Sequence, residues 1–120
     1  MRTVKQRFAT DCGVGCVAML AGVSYEEAFD AVYPDGKRGI TSTNKLRAAL
    51  TKLGRPPVDG RMVSKKRTKL KSLPNDALLK VQPTTCAGKH WVVWDRKAQK
   101  KRDPWRGTLR HKVICYLLVP

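Results

Sequence analysis

The chain has 120 residues, 42% hydrophobic and 28% charged, which is typical of one soluble globular domain over residues 1–120. Its 25 Lys and Arg residues outnumber 9 Asp and Glu residues, and the net charge of +16 predicts attraction to an acidic partner or nucleic acid. No stretch reaches the ~18 apolar residues of a membrane span. The first apolar run also lacks the cleavage site of a secretion signal, so we expect a cytoplasmic protein.

Helices are predicted in the first half of the chain. Asp11 is a good N-cap type, and the apolar run from Cys12 to Gly22 favours a buried first helix. Ser24 and Glu27 form a capping box, and the helix that they begin should end near Val32. Leucines and alanines at helical spacing predict a third helix, with a cap at Thr41 or Ser42 and an end at Gly54.

Strands are predicted in the second half, over residues 77–81, 90–95 and 113–119. The basic run 64–71 is interpreted as a solvated helix face or loop, and Arg96–Arg102 as a charged hairpin turn. Helices that precede strands in this way indicate an α+β fold with an antiparallel sheet.

Cys12 is the first candidate for chemistry. At the start of a helix, free backbone N–H groups and the helix dipole favour an anion, and a thiol there is shifted toward the nucleophilic thiolate. The alternative is that Cys12 is a small apolar residue of a buried helix. Cys16 lies one turn further along the same face, and we interpret it as core packing.

A nucleophilic thiol needs a base, a group that orients the base and a donor for the oxyanion. Of the two histidines, His90 begins an apolar strand, whereas His111 lies between basic residues and should be exposed. Asp103 is on the segment that returns toward His90, while Asp95 is roughly 17 Å along the same strand and too far away. The side-chain amide of Gln6, six residues before Cys12, can point at the oxyanion position.

Taken together, these blocks resemble the papain-like bacteriocin-processing peptidases, which cut double-glycine leader peptides. The similarity lies in QRFATDCGVGCVAML, in GITSTNKLRAALTKLGRPP and in KHWVVWD with the Asp-Pro that follows, so it spans roughly Gln6 to Gly107. The resemblance implies a papain-like fold and a cysteine peptidase with a peptide or protein substrate and no cofactor or metal. It implies Cys12 as nucleophile, His90 as base and then acid, Asp103 as orienting group and Gln6 as oxyanion donor.

The chain departs from this family at the short interval between His90 and Asp103, whose turn carries five basic residues in seven. Trp91 and Trp105 are assigned to substrate binding, because they flank the proposed base and its partner. Trp105 is also expected to shield the contact between Asp103 and His90 from water.

Two other classes of protein fit parts of the sequence. Cys12, Cys16, Cys86 and His90 form two pairs of soft ligands that suit a tetrahedral zinc site. The basic runs with Trp91, Trp94 and Trp105 suit nucleic-acid binding, although Trp91 and Trp94 fit core and cleft packing better.

Overall fold

The computed structural model describes residues 1–84, 88–107 and 110–120, and these form an α+β fold with the helices first, as expected. The helices are α1 (Cys12–Ala21), α2 (Tyr25–Val32) and α3 (Thr43–Lys52). The strands are β1 (Val63–Ser64), β2 (Asp76–Pro83), β3 (His90–Asp95), β4 (Lys100–Arg102) and β5 (His111–Val119). A short 3₁₀ helix, Leu70–Ser72, precedes β2.

Local capping sets the helix bounds, and the predicted caps at Ser24 and Ser42 and the end of α1 at Gly22 are confirmed. Gly22 ends α1 in the left-handed conformation, with φ of 69°, which a residue without Cβ adopts at little cost. The Ser24 hydroxyl accepts a hydrogen bond from the Glu27 backbone N–H at the start of α2. Ser42, one of the two expected caps, accepts from the Lys45 backbone N–H at the start of α3.

The five strands form one antiparallel sheet in the order β1-β5-β2-β3-β4. Strand β3 is buried along its whole length, as its run of apolar side chains predicts. The edge strands β1 and β4 were not predicted, because two exposed residues in one and Lys-Lys-Arg in the other carry no apolar alternation. They are strands because backbone pairing with β5 and β3 extends the sheet.

Both faces of the sheet are covered. The three helices lie on one face, in a core that includes Val14, Val17, Leu46, Leu50, Leu78, Trp91 and Val93. A smaller cluster on the other face contains Leu73, Ala77, Leu79, Val81, Val92 and Trp94. The expected packing of Trp91 and Trp94 is therefore confirmed. None of the helices in the described residues is long and apolar enough to cross a membrane.

Helix α1 packs closely against the segment that follows β4. A Cβ added at Gly15 would lie 2.7 Å from Pro104 Cβ and 3.1 Å from the Val4 carbonyl oxygen, so only glycine allows this approach. The Gln6 backbone N–H donates to the Pro104 carbonyl at 2.7 Å and ties the N-terminal segment to the same place. These contacts hold the start of the chain against residues 103–105.

We predict that Gly15→Ala destabilises the protein although alanine is the better helix former by about 1 kcal/mol. Overpacking of this kind costs about 1–3 kcal/mol, so the free energy of unfolding in urea should fall. Gly39→Ala is the matched control, because a Cβ at Gly39 meets nothing within 4 Å. Equal stability of the two variants would show that the contact with Pro104 is unimportant.

Candidate active site

Cys12 is the first residue of α1 and is partly exposed. Its position confirms that the thiol lies in the first helical turn, where free backbone N–H groups favour an anion. Cys12 also lines a cleft of about 580 Å³. The thiol is therefore accessible from solvent while its backbone belongs to a buried helix.

His90 begins β3, and only 8% of its side chain is exposed. Its Nε2 lies 2.7 Å from Asp103 Oδ1, and because a carboxylate only accepts, Nε2 carries the hydrogen. The Cys12 side chain is a near neighbour of the imidazole and helps to raise its pKa, and Nδ1 is the nitrogen left to face it. His90 thus lies close to the thiol and bonds to the carboxylate predicted to orient it.

The electrostatics of this contact favour a charged imidazole. Burial by itself lowers the pKa of His90, but hydrogen bonds with Asp103 and Cys12 and the negative charge of both raise it from 6.5 to about 9. A protonated imidazole beside a thiol stabilises the thiolate form. The imidazole is therefore suited to take up a proton from the thiol near neutral pH.

Asp103 lies directly after β4, at the point where Pro104 meets α1. Its Oδ1 accepts from His90 Nε2 and also from the Trp105 backbone N–H, at 2.9 Å. Burial by itself raises the pKa of Asp103, but these hydrogen bonds and the charge of His90 lower it overall. The carboxylate is therefore ionised and fixed in direction by two donors.

His111 is a further residue of this site that the sequence did not reveal. Its expected exposure is wrong, since only 6% of the side chain is exposed, and Nε2 lies 3.7 Å from Asp103 Oδ2. Burial and the nearby charge of Lys101 lower the pKa of His111. Its Nδ1 is buried without a partner among the described residues. The β-pairing of His111 with Pro83 carries it inward, which neighbouring charges alone do not indicate.

Asp11 organises the loop before Cys12. Within the described residues its carboxylate does not cap α1, but accepts from the backbone N–H groups of Arg7 and Phe8, at 3.0 and 2.9 Å. The Tyr25 hydroxyl donates to the same carboxylate, and burial together with this bond raises the pKa of Tyr25. The negative charge beside Cys12 is thus directed away from the thiol.

Gln6 is buried next to this loop, and its side chain holds the loop rather than pointing freely into the cleft. The amide Nε2 donates to the Phe8 carbonyl at 2.7 Å and lies 3.5 Å from the Ala9 carbonyl. Its Oε1 is buried without a partner among the described residues. The role of Gln6 as oxyanion donor stays a prediction, because it needs one amide N–H to turn toward the cleft.

The cleft runs from Cys12 between the start of α3 and the sheet. Its described lining comprises Ala9, Thr10, Cys12, Ile40, Thr41, Ser42, Thr43, Lys80, Gly88, Lys89 and Trp91. Trp91 is therefore placed where it can contact a ligand, although only 6% of it is exposed. Trp105 is not part of this lining, and its ring is 38% exposed. Its assignments to substrate binding and to shielding stay predictions.

Of the four ligands in the zinc hypothesis, Cys86 lies outside the described residues, so the structure bears only on Cys12, Cys16 and His90. Cys16 is fully buried, and burial raises the pKa of its thiol well above the usual value. This fits its interpretation as core packing. Among the described residues, no group of three or more His, Cys, Asp or Glu side chains is placed to hold a metal ion.

Comparisons with known proteins found no family model that matches this chain and no curated protein with significant sequence similarity.

We predict that Asp103→Asn lowers the pKa of His90, because it removes the carboxylate charge that helps to raise it. In an NMR titration, the His90 imidazole should titrate near pH 9 in the native protein and at a clearly lower pH in the variant.

The raised pKa of His90 also predicts how stability depends on pH. Because the folded-state pKa is above 6.5, the interaction stabilises the protein fully below about pH 6.5, and this stabilisation is lost as the pH rises through about 9.

Asp95→Asn is the control for this titration. Asp95 is also a buried carboxylate, but it pairs with Arg102 at 2.7 Å and not with His90. The variant should lose stability and leave the titration of His90 unchanged. An equal shift in both variants would contradict a specific role for Asp103.

A second prediction concerns the loop before Cys12. Asp11→Ala leaves two backbone N–H groups and the Tyr25 hydroxyl without their acceptor, and each unpaired buried donor costs about 1–3 kcal/mol. Tyr25→Phe removes only one of these hydrogen bonds and should cost about 1 kcal/mol. Urea denaturation measures both, and equal losses would show that the backbone contacts contribute nothing.

Proposed function

We propose that this protein is a cysteine peptidase that hydrolyses a peptide or related amide bond, with Cys12 as the nucleophile. The single observation that carries the proposal is that the His90 imidazole donates to the Asp103 carboxylate at 2.7 Å while the Cys12 side chain is near enough to raise its pKa. Such a set of thiol, imidazole and carboxylate is the arrangement that nucleophilic acyl transfer requires.

In the first step the Cys12 proton moves to His90, and the thiolate attacks the carbonyl carbon of the substrate. The backbone N–H of Cys12 at the free end of α1 and an amide N–H of Gln6 are the proposed donors to the oxyanion. His90 then gives its proton to the leaving amine, which departs as the thioester forms. Water attacks the thioester with His90 as base, and the acid product and the free thiol result.

Asp103 acts in this mechanism on His90 and not on the substrate. It fixes which nitrogen of His90 carries the hydrogen and stabilises the imidazolium that forms after proton transfer. The low pKa of Asp103 supports this role, because an ionised carboxylate is the form that accepts from Nε2.

The proposed substrate is a peptide or protein segment, of acidic or leader type, bound in the cleft beside Cys12. The net charge of +16 and the two lysines of the cleft support an acidic sequence, and the family resemblance supports a leader peptide. Cys12, Cys16 and Cys115 are free thiols, which fits the reducing cytoplasm as the proposed location.

A nucleic-acid partner is the alternative that the surface supports. The turn between β3 and β4 and the start of β4 expose a row of basic side chains: Arg96, Lys97, Lys100 and Lys101. Against stacking on bases, Trp91 and Trp94 are buried, and only Trp105 of the three rings is substantially exposed. Binding that depends strongly on salt and persists in a Cys12→Ala variant would favour this partner.

The proposed activity is tested by the reaction of iodoacetamide with native protein near neutral pH, followed by mass spectrometry of each cysteine peptide. Cys12 should react selectively among the four cysteines, and His90→Ala should slow it by about tenfold or more. Cys115, whose pKa is raised by burial, is the internal control and should react at the same slow rate in both proteins. Even labelling of all four would refute an activated thiol.

Metal analysis separates the zinc alternative from the peptidase. One zinc per chain that is lost in Cys86→Ala would overturn the proposal, because His90 and Cys12 would then be zinc ligands and not a base and a free nucleophile. We expect protein without stoichiometric zinc, in which Cys86→Ala leaves the alkylation of Cys12 unchanged.

A further inference from the structure

Lys80 occupies an unusual place for a lysine, in the middle of the central strand β2 and half-buried. It lies opposite Trp91 on β3 and opposite Cys115 on β5, so these three side chains share the helix-covered face of the sheet. The ammonium lies 5.6 Å from the centre of the Trp91 ring. The next cross-strand pair on that face, Leu78 and Val93, is apolar.

The Lys80 side chain lies where two cavities meet. The cleft that contains Cys12 has Lys80 and Thr43 in its lining. A second cavity of about 470 Å³ also has Lys80 and Thr43 in its lining and continues toward Arg61 and Cys115. We call these two neighbouring cavities the groove, and a chain bound along both of them would meet Cys12 and Lys80.

Lys80 has no carboxylate partner among the described residues. No Asp or Glu oxygen of the described residues lies within 4.0 Å of its Nζ, and the sequence has no acidic residue at 85–87 or 108–109. Removing part of the water around an ammonium without a counter-ion is costly, so such a group is usually paired. The contact with the Trp91 ring offsets only part of this cost.

The surroundings of Lys80 add positive charge. Lys89, in the same cleft, donates to the neutral Gln82 amide oxygen at 2.8 Å and keeps its charge unpaired by any acid of the described residues. In the second cavity Arg47 donates to backbone carbonyls, and Asp59 is the one acidic side chain among its described lining residues. The groove near Cys12 therefore has a positive potential.

We propose that Lys80 is the centre of a subsite that binds a carboxylate of the substrate. The inference rests on the proposed peptidase function, and it narrows the substrate to a peptide with an acidic side chain, or its own C-terminal carboxylate, near the scissile bond. The Lys80 ammonium binds the carboxylate, and Trp91 provides the apolar floor for the adjoining methylene groups. A substrate carboxylate thus supplies the counter-ion that the described residues do not provide.

The test uses tripeptidyl chloromethyl ketones that alkylate Cys12 and differ only by Glu or Gln at one of the three positions. At one position, the Glu probe should react about tenfold faster than the Gln probe with the native protein, as expected for a gain of about 1.4 kcal/mol. Lys80→Met should abolish the difference, Lys80→Arg should retain it, and Lys80→Glu should favour the Gln probe. Lys71→Met, which removes an exposed lysine of the 3₁₀ helix, is the charge-matched control and should leave the preference intact.

A second arm distinguishes the source of the carboxylate. Tripeptides with a free C-terminal carboxylate, or with a C-terminal amide, compete with iodoacetamide for Cys12. Protection by the free acid alone, lost in Lys80→Met, assigns the subsite to the C-terminus of the substrate. Selectivity for the Glu probe assigns it to an acidic side chain.

Equal rates for the Glu and Gln probes together with equal protection by acid and amide would overturn the Lys80 subsite. A preference that survives Lys80→Met would overturn it as well. Both results are compatible with the proposed function as long as iodoacetamide still alkylates Cys12 in a manner that depends on His90. If iodoacetamide alkylates Cys12 at the same rate in the native protein and in His90→Ala, the peptidase proposal itself is refuted. The two failures are therefore distinguishable.

Discussion

The close approach of α1 to Pro104 is the constraint on which the rest of the site depends. Gly15 leaves room for the proline ring, and the Gln6 backbone N–H fixes the Pro104 carbonyl from the other side. Asp103 is the residue before Pro104, so the same contact fixes the distance between the helix that carries Cys12 and the carboxylate. His90 enters between them from the sheet, and three distant parts of the chain meet at one imidazole.

The two histidines beside Asp103 have pKa values that are shifted in opposite directions. His90 bonds to one carboxylate oxygen at 2.7 Å and has the Cys12 side chain as a neighbour, and its pKa is raised to about 9. His111 lies 3.7 Å from the other oxygen, and burial with the charge of Lys101 lowers its pKa. One imidazole is thus suited to hold a proton near neutral pH, while the other is suited to remain neutral and fill the space behind the carboxylate.

The basic side chains occupy two kinds of environment. Most basic side chains are solvated, as in the turn between β3 and β4, where they raise the general potential of the surface. Lys80 is different, because it is half-buried between Trp91 and the groove that leads from Cys12. A net charge describes attraction to acidic molecules in general, whereas one half-buried ammonium in the same cleft as Cys12 gives that attraction a position.

The sequence by itself determined the features that depend on neighbouring residues. The caps at Ser24 and Ser42, the end of α1 at Gly22, the α+β order and the pairing of His90 with Asp103 instead of Asp95 follow from local geometry and chain length. Other features depend on contacts between distant parts of the chain, and only the tertiary structure decided them. Backbone pairing made β1 and β4 strands and buried His111. Tertiary packing turned Asp11 toward the preceding loop and Gln6 toward two carbonyls, and it placed Lys80 in the groove. These outcomes depend on which strands and loops lie side by side, and no short stretch of sequence encodes that.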